Sequence, residues 1–282
     1  MSVNTHNTYR AGIQAFEQFR ISQGLASVWP PIDLHLNMFI AQLSLNGFRH
    51  ATAKSYISAI SHFCKLYYKS DPTKTFIIHK LLQGMKRSNP RTDSRLPITL
   101  DILNTILPKV QIVCNSRYEA LLFKAAFTLA FHALLRVGEF AMSKGNTSDK
   151  ILQTEDVSLI GDQITICIRH SKTDQLGWGT SVVIPASAGL ACPVAAMRNF
   201  LQVRPNFPGP LFCHFSGKIL TRYQISSILN KSLDSCGIDY TNFKSHSFRI
   251  GAATTLARQG TDKSLIQMAG RWKSKAYSSY IR

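Results

Sequence analysis

The segment Arg87-Ser88-Asn89-Pro90-Arg91-Thr92-Asp93-Ser94-Arg95-Leu96-Pro97 constrains the chain most, because it divides it. It is polar, bracketed by prolines and without apolar periodicity, which is the composition of a linker. The predicted organisation is a helical domain over residues 1–87, a linker over 88–97 and a second domain over 98–282. A chain of 282 residues, 45% of them hydrophobic, can bury two such cores.

Before the linker the pattern is helical. Residues 4–23 space Tyr9, Ile13, Phe16 and Phe19 along one face. A second helix is expected after Trp29-Pro30-Pro31, with Asp33 as its cap and an end near Gly47. His50–Tyr68 places Ala53, Tyr56, Ile57, Ile60, Phe63 and Tyr67 together, and a fourth helix is expected from Thr75 to Lys86. Four amphipathic helices make a small bundle. Beyond the linker, Leu100–Leu107 and the strongly apolar Tyr118–Leu135 read as helices. Ile164–Ile168 alternates with period two and Ser181–Ile184 is rich in β-branched residues, so a hairpin is expected around the polar loop Arg169–Gly179. From Pro193 the pattern is helical again. The expected fold class is mainly α with a small β-sheet.

Charge narrows the partner. Lys and Arg number 33 against 15 Asp and Glu, giving a net charge of +18. Such an excess strains a compact fold unless a polyanion neutralises it, so nucleic acid is the first expectation, ahead of an anionic membrane or a merely basic enzyme. Residues 1–95 carry 12 basic and 4 acidic side chains, so the charge is not confined to a tail. Arg49, Lys54, Lys65 and Lys69 are candidate DNA contacts in the first domain, and Arg91 and Arg95 in the linker; each is equally readable as part of a solvated face. Six scattered cysteines without a CxxC pair predict reduced, buried thiols. No stretch is apolar enough for a membrane span, and the opening Met-Ser-Val-Asn-Thr-His-Asn-Thr-Tyr-Arg has no signal-peptide character. GxxxxGK[ST], HExxH and EF-hand loops are absent, so neither a nucleotide cofactor nor a metal is announced.

Three signals remain. Ser245-His246-Ser247-Phe248-Arg249 is an H-x-x-R element at the head of a helical pattern, where His246 and Arg249 can reach one phosphate. Leu134-Leu135-Arg136-Val137-Gly138-Glu139 sets an arginine where the chain turns out of an apolar helix; it could equally cap that helix. The chain closes on Gly270-Arg271-Trp272-Lys273-Ser274-Lys275-Ala276-Tyr277-Ser278-Ser279-Tyr280-Ile281-Arg282.

Arginine, His-x-x-Arg, Gly-x-Trp and a near-terminal Tyr-Ile-Arg, in this order, resemble the tyrosine recombinase (phage integrase) family. The ending is most similar to recombinases of eukaryotic Crypton and DIRS-like mobile elements. The resemblance implies a helical core-binding domain followed by an α+β catalytic domain, the two closing on duplex DNA as a clamp. It also implies roles. Arg136 and Arg249 resemble the two arginines that hold the scissile phosphate, and His246 the histidine of the same box. Trp272 stands where many members have histidine; its N–H can donate but cannot titrate. Tyr280 resembles the nucleophile, with Tyr277 as a less well-spaced competitor. Lys172, in the hairpin loop, resembles the general acid that protonates the departing 5′ oxygen. Glu139 resembles the acidic residue that buttresses the site.

The implied activity is DNA cleavage and rejoining through a 3′-phosphotyrosyl link by about four protomers, with no cofactor and no metal. Many relatives continue past the tyrosine into a helix that docks on a neighbouring subunit. This chain stops two residues after Tyr280, so another element couples the subunits or the sequence is cut short. A eukaryotic host would imply the nucleus, a bacterial one the cytoplasm. The alternatives are a domesticated DNA-binding protein that no longer cuts, a monomeric enzyme of the type IB topoisomerase kind, and a protein that simply coats nucleic acid.

Overall fold

The computed structural model describes residues 3–90, 93–143, 145, 147–171, 174 and 177–282. It comprises two compact units, Met1–Asp93 and Ser94–Arg282. Residues 94–97, read from sequence as the end of the linker, belong to the second unit because their backbone is bonded there. Leu96 N–H donates to Asn242 O at 2.9 Å and Ile98 N–H to Ser247 O at 3.0 Å.

The first unit is α1 (Val3–Ser22), α2 (Asp33–Leu45), α3 (His50–Tyr68) and α4 (Phe76–Ser88). Asp33 is the first helical residue of α2 and not its cap; Ile32 precedes it in extended conformation, so the carboxylate serves the helix dipole instead. Thr75 caps α4, its hydroxyl accepting from Ile78 N. Phe16, Leu36, Phe39, Ile40, Ile57, Ile60 and Cys64 form a core of their own. Gly12 lets α1 lie against α3, since a Cβ there would meet Ala59 Cβ at 3.0 Å. Arg20 is wholly buried: its guanidinium lies 4.7 Å from the Phe16 ring and 5.0 Å from the Trp29 ring. It donates to Glu17 and to Val28 O, and Glu17 also accepts from Trp29 Nε1 at 2.7 Å. One formal charge of the basic excess is thereby spent on structure.

The second unit contains α5 (Leu100–Val113), α6 (Arg117–His132), α7 (Val137–Phe140), the strands β1 (Val157–Ile160), β2 (Gln163–Ile168) and β3 (Thr180–Pro185), then α8 (Pro193–Leu201), α9 (Arg222–Asp234), α10 (Ser247–Arg258), α11 (Lys263–Ala269) and a 3₁₀ segment, Lys275–Tyr280. Helix α5 runs past Leu107 through Pro108. The proline forfeits one backbone bond, but Leu103, Ile106, Leu107 and Val110 keep one buried stripe continuous across it. The sheet is antiparallel in the order β1-β2-β3, with Ile164, Ile166 and Ile168 turned into the core. Strand β1 is added to the expected hairpin by the Gly161-Asp162 turn, Ile160 pairing with Gln163.

Helix α6 is buried on nearly every side and packs centrally, ending at His132. Sequence reading carried it to Leu135. The chain stops sooner because Leu134 adopts φ 46° and Leu135 N–H returns to Ala130 O, a Schellman-like close. The carbonyls of Ala133 and Leu134 are left pointing at the site described below. All six cysteines are free thiols; Cys64, Cys192 and Cys213 are buried, while Cys114, Cys167 and Cys236 are partly exposed. Among the described residues no helix is long and apolar enough to cross a membrane.

Candidate active site

Arg136 ends the α6–α7 turn as the N-cap residue of α7, so it caps a helix start and not the end of α6. Glu139 folds back on it: Oε2 accepts from Arg136 N at 2.9 Å and Oε1 from Arg136 Nη1 at 3.0 Å. The carboxylate is only 4% exposed, so its charge must be met by partners. It has a second one, Arg271 Nη2, at 2.8 Å from Oε2.

His246 is the N-cap of α10 and Arg249 lies in its first turn. Segment 94–99 runs against this end of the helix, and Gly251 makes room for it: a Cβ there would sit 1.6 Å from Ile98 O. Arg249 is 0% exposed. Its Nη groups donate to Leu134 O and Gly270 O, and its Cζ lies 4.3 Å from the Trp272 ring and 5.7 Å from the Tyr280 ring. Trp272 and Tyr280 pack ring to ring at 5.0 Å. Trp272 therefore meets the site through its face, whereas sequence reading expected its N–H to act. Gly270 is what lets it lie there, because any Cβ would fall 1.6 Å from the indole. Of the two tyrosines, Tyr280 is the one against Arg249. Its backbone is tied to α10 by Thr254, whose hydroxyl donates to Tyr280 O at 3.3 Å and accepts from Arg282 N at 3.1 Å. Tyr277 and Tyr280 sit in 3₁₀ turns, Lys275–Tyr280.

Burial and the positive charges of Arg95, Arg222, Arg249 and Arg136 push the His246 imidazole down to about 4. It is therefore neutral at pH 7, and a weak base while no anion offsets the arginines around it. Burial and the nearby Arg136 and Arg271 likewise lower Arg249 below the usual guanidinium range. His246 Nδ1 and Arg249 Nε are buried with no hydrogen-bond partner among the described residues. An orphaned buried donor costs about 1–3 kcal/mol, so it points to a missing acceptor. Three guanidiniums around one carboxylate leave positive charge uncompensated, in a site suited to an oxyanion.

The structure thus brings together Arg136, Glu139, His246, Arg249, Trp272 and Tyr280. It adds Arg271 and Arg222, which sequence reading assigned no role. The available signal for Arg271 was a long cation set between the closely packed Gly270 and Trp272. Arg95, a candidate DNA contact, belongs to the second unit, where its charge helps to lower the His246 imidazole. Lys172 and Arg91 lie outside the described residues. In the first unit Arg49, Lys54, Lys65 and Lys69 are exposed, but Lys65 Nζ is already paired with Asp71 Oδ2 at 2.9 Å. Although burial raises the Asp71 carboxyl, bonds from Thr73, Lys65 and Ser61 hold it down at about 2. Burial, and after it the charges of Lys54 and Lys86, lower His50, so these three side chains share one electropositive neighbourhood.

The second unit is thus mainly helical with one small sheet, and it holds an arginine-lined site suited to an oxyanion with a tyrosine ring against it. The phage integrase family model matches residues 109–280, and the chain belongs to that family. An integrase/recombinase xerD homolog of Selenomonas ruminantium is 25% identical over 220 residues, 73% of this chain and 60% of that protein. The solved complex of XerH site-specific recombinase with palindromic difH substrate, post-cleavage, aligns with 97% of this chain and 74% of its own at a TM-score of 0.68 and 18% identity. A lambda integrase dimer bound to a COC′ core site aligns with 100% of this chain and 89% of its own, at 0.66 and 14%. At these identities the shared property is the fold, mainly helical with one small sheet.

Proposed function

We propose that this protein is a site-specific DNA recombinase that cuts and rejoins DNA through Tyr280. The phenolate oxygen attacks a backbone phosphorus; the P–O5′ bond breaks as the 3′-phosphotyrosyl bond forms, and the 5′ oxygen leaves with a proton. A 5′ hydroxyl of a partner strand then reverses the step. Bond energy stays in the phosphotyrosine, so no nucleotide is consumed. Arg136 and Arg249 stabilise the phosphorane charge, neutral His246 takes the phenol proton, and Trp272 holds the rings in register. Lys172 is the donor to the 5′ oxygen on the family resemblance. Residues 1–87 act as the core-binding domain, with Arg49, Lys54 and Lys69 on DNA. About four protomers pair two sites, and the Gly-Arg-Trp and Tyr-Ile-Arg ending supports a mobile-element source of the Crypton or DIRS-like kind, which would act in the nucleus of a eukaryotic host or the cytoplasm of a bacterial one.

The observation that carries this reading is the stacking of the Tyr280 ring against the same buried arginine that Trp272 covers. One feature favours the alternative of a domesticated binder: both Nη groups of Arg249 are committed to carbonyls. For cleavage the Tyr280 ring must move off Arg249 as phosphate enters. The test uses a duplex that the protein selects from a randomised library, nicked at successive positions and incubated in EDTA. A covalent adduct on denaturing gels, kept in Tyr277→Phe and lost in Tyr280→Phe, is the expected result. Tight, salt-sensitive binding without any adduct would favour the non-cutting binder.

A further inference from the structure

Arg271 occupies a conformation that its side chain does not favour. Its φ is 54°, in the left-handed region where a side chain costs about 1 kcal/mol and glycine nothing. The cost is offset by what the guanidinium holds. Nη1 donates to Ala133 O at 3.0 Å; Nη2 donates to Leu134 O at 3.3 Å and to Glu139 Oε2 at 2.8 Å. Ala133 and Leu134 form the turn that delivers Arg136, and Leu134 O also accepts from Arg249. One side chain therefore grips the turn that carries Arg136 and that Arg249 also bonds.

Its second effect is electrostatic. With Glu139 alone, a buried carboxylate bonded to Arg136 through both oxygens would cancel much of that guanidinium's charge. Arg271 is itself only 7% exposed on its side chain and takes a share of the same carboxylate. Two cations per anion leave Arg136 with a net pull on a further oxyanion, in a setting where water screens little.

Resting on the recombinase reading above, we propose that Arg271 is a positioning residue for the cleavage step: it fixes the Arg136 turn and shares Glu139, so that Arg136 keeps its charge for the phosphate. It need not touch DNA itself.

Arg271→Gly is the informative variant, since glycine accepts φ 54° without strain and the whole side chain is removed with no backbone penalty. Arg271→Lys keeps the charge but not the forked geometry. The substrate is the selected, nicked duplex in two forms, one unmodified and one with a neutral methylphosphonate at the scissile position. Adduct formation by wild type in a single turnover reports on the recombinase reading; none would overturn that reading and this proposal with it. With wild type active, Arg271→Gly is expected to lower the thermal midpoint, since a buried ion pair is broken, and, assayed well below that midpoint, to slow adduct formation on the order of 100-fold while DNA affinity stays near wild type. Arg271→Lys is expected to fall between. On methylphosphonate, where less negative charge develops, the gap between wild type and Arg271→Gly should close to a few-fold. Equal rates on the unmodified duplex, or a gap that persists unchanged on methylphosphonate, would overturn the proposal.

Discussion

His246 is neutral in the free protein because it is buried among arginines, with its proton affinity pushed down to about 4. Unfolding restores an ordinary imidazole near ~6.5. The unfolded chain thus binds a proton that the folded one refuses, so this residue's contribution to stability is present above pH ~6.5 and lost as pH falls towards 4. A DNA phosphate would act in the opposite sense. It brings negative charge against Arg136, Arg249 and His246, which favours the protonated ring and raises its affinity. DNA binding at a pH between ~4 and ~6.5 should therefore take up protons. Titration calorimetry in two buffers of different ionisation enthalpy measures this uptake directly. Uptake by wild type that disappears in His246→Gln is expected near the middle of that window; the same uptake in both would place the phosphate away from His246.

At the scale of elements, two glycines in helices separate backbone propensity from packing. Gly84 stands in α4 with open space around its Cα, so Gly84→Ala should gain the helix-propensity difference, about 0.5–1 kcal/mol. Gly251 in α10 offers the same propensity gain, but its Cβ would collide with Ile98 O at 1.6 Å. Relief requires segment 94–99 to move, which breaks the Ile98 N–H to Ser247 O bond and exposes a fully buried isoleucine. That loss, about 2–4 kcal/mol, exceeds the gain, so Gly251→Ala should shift the urea midpoint down where Gly84→Ala shifts it up. Elements of this kind differ in how far sequence reveals them. The limits of α3 were legible because its apolar period runs unbroken from Ala53 to Cys64. Helix α5 was cut short at Pro108 because proline is a local signal, whereas the buried stripe that overrides it is a tertiary one. Strand β1 is too short to show a period, although Gly161-Asp162 announced its turn. The motif residues of the site were legible as chemistry in order along the chain. Arg271 was not, since its meaning lies in carbonyls more than a hundred residues away, at Ala133 and Leu134.

For the molecule as a whole, a net charge of +18 overstates the field that DNA would meet. Arg20 is buried against Glu17, Arg249 and Arg271 are committed inside the second unit, and Lys65 is paired with Asp71. The exposed cations that remain are what can displace counterions from a duplex, and each phosphate neutralised contributes about 0.9 to the slope of log affinity against log salt. Lys54 and Arg49 are exposed at the start of α3, where Lys86 and His50 share the positive field. Replacing both Arg49 and Lys54 with Gln should lower the slope by about 2 on a duplex of random sequence, read by fluorescence anisotropy from low to moderate salt. Lys65→Gln should lower it by less than one, because its charge is already shared with a carboxylate held down at about 2 and therefore ionised throughout the assay. The order of these two effects is the decisive reading. If Lys65→Gln reduces the slope as much as a full contact while the Arg49 and Lys54 pair leaves it unchanged, DNA lies across the C-terminal end of α3 and not its start. In that case Lys69, exposed one turn beyond Lys65, becomes the next contact to test.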